Sequence, residues 1–157
     1  MRKTIIRHDP ENVSHAGQTW LDLDRLARIE FTSEETAHPV EAALVPGRGA
    51  GWRAEQPGEQ TIRLIFEQPM TLGLIHLRFD ELEQARTQEF ALRWLAEGGE
   101  HHREIVRQQY TFSPPGMTKE IEDYRVELSG VTELELRIVP DISGGNALAT
   151  LTQMSLA

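Results

Sequence analysis

The run Thr132–Pro140, TELELRIVP, constrains this chain more than any other stretch. Leu134, Leu136 and Ile138 alternate with Glu133, Glu135 and Arg137. That two-residue period belongs to a strand with one buried and one wet face. Pro140 has no N–H to offer a ladder, so it ends the run. The same device recurs along the chain. In QTIRLIF, Ile62, Leu64 and Phe66 share a face while Arg63 takes the other. In TLGLIHLRF, Gly73, Ile75, Leu77 and Phe79 oppose Leu72, Leu74 and His76. RLARIEF predicts a strand from Ala27 to Phe31, and LATLTQMSLA puts Leu148, Met154 and Leu156 in one register.

Residues 81–112 read two ways. Helix formers crowd Leu82–Glu97, yet Phe90, Leu92, Trp94 and Ala96 alternate strictly, and Val106, Tyr110 and Phe112 share a parity. Gly98-Gly99 between them is a hairpin signal. The pattern predicts two antiparallel strands around that turn, with Glu81–Arg86 as a loop or single helical turn. Seven or eight short strands with turn punctuation define an antiparallel sandwich or barrel. No linker divides residues 1–157, so one domain is expected, with 1–19 as a lead-in.

Charge narrows the partners. A formal net charge of −9 repels phosphate backbones, which argues against nucleic acid and anionic membranes. The sequence has no cysteine, hence no disulfide framework and no thiolate chemistry. There is neither a signal-peptide run at the start nor an apolar stretch long enough to span a bilayer. A cytoplasmic location is the expectation.

Catalytic motifs are missing: no HExxH, no Cys/His zinc spacing and no GxSxG. GRGAGWRA, at Gly47–Ala54, has the glycines of a phosphate cradle but not its Lys-Ser/Thr or following helix. His101-His102 beside Glu100 offers metal-type donors, but neighbours on a strand point to opposite faces, so the doublet reads as a polar hairpin tip. Glu34-Glu35 and Asp80-Glu81 read as solvated loop charges, and His76 as a satisfied, partly buried histidine. A non-enzyme is expected.

The order of these pieces resembles the discoidin-type (coagulation-factor type C) family of galactose-binding-domain-like jelly rolls. Ser33, Ala43-Leu44, Trp52, the strand Ile62–Phe66, Pro69 and the strand Leu74–Phe79 follow the pattern of its first half. RTQEFALRWLAEGG, LELRIVPD and ATLTQMSLA follow its second, so the resemblance covers about residues 20–157. It implies an all-β, antiparallel jelly-roll β-sandwich of about eight strands, with Trp52 packed inside. It also implies a calcium-holding turn completed by a closing-strand glutamate. Here the turn reads Val45-Pro46-Gly47 and the closing strand offers Gln153, so no cofactor is expected.

In such sandwiches the ligand sits among loops at one end. Sugar recognition combines an apolar face with planar polar groups, and His38, Arg48, Arg86 and Asn146 are the residues chosen for it. The expected function is a non-catalytic module binding carbohydrate through these loops. The alternative is an intracellular protein-interaction or assembly domain with no sugar ligand.

Overall fold

Long strands set the architecture. The structure, a computed structural model, describes residues 18–157; most of the lead-in expected over 1–19 lies outside the described residues. Eight strands are formed among these: β1 (Ala27–Phe31), β2 (Trp52–Arg53), β3 (Gln60–Asp80), β4 (Arg86–Ala96), β5 (Arg103–Phe112), β6 (Lys119–Val139), β7 (Thr150–Leu151) and β8 (Gln153–Leu156). Two short helices, α1 (Leu23–Leu26) and α2 (Glu41–Leu44), flank β1 and precede β2.

β3 and β6 pair antiparallel along most of their length. The register slips between Ile65 and Leu74, where Pro69 stands without an N–H, so the ribbon bends there. One half of the ribbon carries β1, β4 and β5, in the order β1-β3-β6-β4-β5; the other half carries β8 on β3. A separate pair, β2 with β7, closes the flank. All pairings are antiparallel, and the two halves face each other across the core. Phe90 of β4 stacks on Phe79 at 5.2 Å and meets Tyr124 of β6 edge-on at 6.4 Å. This is the expected all-β sandwich.

The alternation read from sequence sets the core. Ile62, Leu64, Ile75, Leu77, Phe79, Leu92, Leu136 and Ile138 are wholly buried. Trp52 is buried too, and its Nε1 donates to the Ser33 carbonyl at 2.9 Å. An indole needs such a partner inside a core. Ser33 in turn donates to Gln60 Oε1 at 2.7 Å, tying the chain after β1 to the start of β3.

Gly51 makes this packing sterically feasible. Its φ is +117°, and a Cβ there would sit 2.9 Å from both the Leu151 carbonyl oxygen and Thr152 Cα. Backbone cannot move aside as a flexible side chain can. Gly51→Ala is expected to cost about 2 kcal/mol, from strained φ and overpacking together. A thermal melt unchanged from wild type would contradict this.

Candidate functional site

One end of the sandwich gathers the long loops, and Arg86 holds them together. Arg86 opens β4 and is buried. Its Nε donates to Glu81 Oε1 at 2.7 Å and its Nη1 to the Pro140 carbonyl at 2.8 Å. Longer bonds reach Gln88 Oε1 and Thr150 Oγ1, each at 3.3 Å. The guanidinium carbon lies 4.9 Å from the centre of the Phe112 ring. One cation therefore joins the β3–β4 loop, the end of β6, β7 and the end of β5. Burial pushes the Glu81 carboxyl up, but the Arg86 hydrogen bond, the Glu83 backbone N–H and the Arg86 charge together outweigh it and leave the group below the usual range.

The four residues chosen from sequence do not converge. Arg86 is inside, with its donors committed to the protein. Arg48 reaches Asp24 of α1 at 3.3 Å. Asn146 is exposed on the β6–β7 loop. His38 stands in the loop after β1, and the structure gives it neighbours that the choice omitted. His38 Nε2 is 4.0 Å from Glu35, and Arg53 Nε lies 3.8 Å from the same carboxylate. The backbone fixes this trio: Glu35 N–H donates to Arg53 O, and Arg53 N–H to His38 O. Three planar polar groups, all partly exposed at 32–43%, thus share one rim. Phe31, an exposed aromatic, opens the same segment. The i, i+3 spacing of Glu35 and His38 is the available sequence signal; Arg53 joins them only through the fold.

Other exposed large apolar side chains crown the same end: Leu82, Met117 and Ile142. Their loops are stitched together, since Glu81 N–H donates to Thr118 O and Ile142 N–H to Thr87 O. The His101-His102 doublet does not chelate. His102 pairs with Glu133 of the neighbouring strand at 2.9 Å, while His101 is exposed. His76 is buried and bonded to Asp123 at 2.8 Å, as its place in a strand implies.

A groove of about 460 Å³ runs between residues 42–50 and the closing strand β8. Val45, Pro46, Gly47 and Gln153 all border it. The turn and closing strand therefore meet, as the resemblance implies. They bring no carboxylate, whereas calcium needs several hard oxygen ligands. Among the described residues no group of three His, Cys, Asp or Glu side chains assembles for a metal. The donor set does not fit calcium.

Between the two layers lies a polar cluster with no apolar signature. Glu120 is 1% exposed; its Oε1 accepts from Gln88 Nε2 at 3.1 Å, and its Oε2 has no hydrogen-bond partner. Glu122 accepts from Gln108 at 2.6 Å, and Tyr124 donates to the same Gln108. Burial first, and the Glu122 charge next, push the Glu120 carboxyl up to about 8. Burial first, and then the charges of Glu120 and Glu122, raise both Tyr110 and Tyr124.

No family model matches this sequence, and no curated protein does. Solved structures do. The family 32 carbohydrate-binding module of NanJ from Clostridium perfringens, in complex with galactose, is 10% identical with a TM-score of 0.64, over 88% of this chain and 97% of that one. CpGH89CBM32-4 of Clostridium perfringens, in complex with GlcNAc-α-1,4-galactose, is 13% identical with a TM-score of 0.60, over 92% and 98%. The C-terminal domain of a chitobiase from Bacteroides fragilis is 16% identical with a TM-score of 0.62, over 88% and 97%. The chain has the discoidin-type, galactose-binding-like sandwich fold of these modules.

Proposed function

We infer that this chain is a non-catalytic carbohydrate-binding module whose loop end holds the glycan. The observation carrying this reading is the Glu35–His38–Arg53 rim at that end, on a fold also found in modules solved with galactose and a galactose-containing disaccharide. Carboxylate, imidazole and guanidinium together supply in-plane donors and acceptors, which sugar hydroxyls need for orientation. Trp52 cannot serve as the stacking face, because it is buried under the rim. Phe31 is the exposed aromatic nearest in sequence to the rim. The reading is tested by glycan arrays followed by calorimetry. A bound glycan is expected to lose about tenfold in affinity in His38→Ala, near 1.4 kcal/mol. Blank arrays and flat titrations would remove the reading.

A second reading has its own observation. Leu82, Met117 and Ile142 present aliphatic tips beside Glu81, Glu83 and Asp141, a surface suited to a protein partner with an apolar centre and a basic rim. It predicts an association abolished by Leu82→Asp with Met117→Asp but indifferent to His38→Ala. The reverse pattern would exclude it.

A further inference from the structure

We propose that the groove between α2 and β8 is a second binding site, taking one residue of a neutral sugar. The proposal rests on the glycan-binding reading above and adds a place on the flank of the sandwich, apart from the loop end. At about 460 Å³ the groove falls within the roughly 300–1,000 Å³ of small-ligand pockets. Its two walls differ in chemistry. Ala42, Ala43, Leu44, Val45 and Pro46 make one wall small and apolar; Arg78, Thr152, Gln153 and Ser155 make the other polar.

The polar wall has bonding capacity left over. Asp80 forks Arg78 through Nε at 2.9 Å and Nη2 at 3.3 Å, which leaves Nη1 as a donor. Thr152 Oγ1 donates to the same Asp80 at 2.7 Å, so the fork is fixed to the closing segment. Ser155 Oγ accepts from Gln153 Nε2 at 3.0 Å, leaving the Ser155 hydroxyl proton and Gln153 Oε1 to a ligand. Two donors and an acceptor therefore face an apolar wall, which matches a pyranose with hydroxyls on one edge and C–H groups on another.

The GRGAG turn supplies shape. A Cβ at Gly49 would stand 2.9 Å from Ala42 Cβ, and Gly51 is equally tight against Leu151. This wall is thus set before any ligand arrives, which lowers the cost of ordering on binding. Arg48 of the same turn is drawn to Asp24 and does not line the groove. Arg78 is the one charged lining residue, and Asp80 balances it. That balance favours a neutral hexose over a uronate or a phosphate.

The test is a titration of the ¹⁵N-labelled full chain, followed by amide shifts. The probes are the methyl glycosides of galactose, glucose, mannose and N-acetylglucosamine, with galacturonate as the charged counterpart. A neutral glycoside is expected to move the amides of Ala50, Thr152, Gln153 and Ser155 saturably. Ala50→Trp, which fills the groove from an exposed position, and Gln153→Ala are each expected to weaken this about tenfold with the folded spectrum retained. His38→Ala is expected to leave it unchanged. Shifts confined to residues 35–38 and 146 would overturn the groove site while keeping the glycan reading. Preference for galacturonate would overturn the neutral class, and undiminished groove shifts in Ala50→Trp would overturn the site. An absence of shifts with every probe would overturn both readings.

Discussion

Arg86→Met is expected to destabilise the protein by about 3–5 kcal/mol, the usual range when one partner of a buried ion pair is removed. At this chain length that corresponds to a melting temperature lower by about 10 °C or more. Methionine keeps an apolar stem against Phe112, so the loss isolates the polar network. Without the guanidinium, Glu81 is left 15% exposed and uncompensated, and the Pro140 carbonyl loses its 2.8 Å donor. Arg86→Lys should fall between the two, because a single ammonium cannot span Glu81, Pro140 and Thr150 at once. The pH dependence identifies the cause. The Glu81 carboxyl is depressed in the folded state, so its contribution is present above the ordinary carboxylate range and is lost as pH falls through the folded value. Arg86→Met lacks that contribution, so the gap from wild type should narrow in acid. A gap independent of pH, or a melting temperature within about 1 °C of wild type, would show that the loops are held by something else.

The same residue marks where sequence reading stops. Arg86 stands beside a polar loop, and the sequence offers it as a ligand contact. Its partners come from Glu81, Pro140 and Thr150, segments that only the fold assembles. Elements with apolar inner faces are legible: β1 spans Ala27–Phe31 as expected, the Gly98-Gly99 hairpin joins β4 to β5, and Trp52 is in the core. β6 shows the opposite case. Its second half follows from Leu134, Leu136 and Ile138, whereas its first half, from Lys119, has no expected strand. There the residues opposite Leu77 and Phe79 are Glu122 and Glu120, so the inward parity opens on acids, and the apolar alternation is left to Tyr124, Val126 and Leu128, a run of three that the sequence reading passed over. The two strands expected on either side of Pro69 are one bent strand, since a proline at a register slip interrupts pairing without ending the strand. α2 is likewise unexpected, because four residues are too few for a helical period to register. The rim Glu35–His38–Arg53 was half visible, through His38. Its completion by Arg53 depends on the backbone crossing at residues 35–53.

That acidic inner face of β6 leads to the other large effect. Glu120→Gln is expected to stabilise the protein at pH 8 and above, raising the melting temperature by about 5–10 °C, with little change near pH 5. Glu120 sits between the layers with one oxygen unpartnered and faces Glu122, Gln88, Tyr110 and Tyr124. Arg86 is the cation that offsets its charge. Its folded value of about 8 stands above the ordinary 4.5. The folded state thus holds a proton that the unfolded chain releases, and stability declines as pH rises from about 4.5 to about 8. Glutamine removes the titration while keeping Oε1 for Gln88, and its amide stands in for the carboxyl O–H as a donor beside Glu122. Glu122→Gln tests the electrostatic half of the account: losing the neighbouring charge should lower the Glu120 value and shift the decline to lower pH. If wild type and Glu120→Gln kept the same separation from pH 5 to pH 9, the carboxyl would be ionised throughout. The unpartnered oxygen would then need a different explanation.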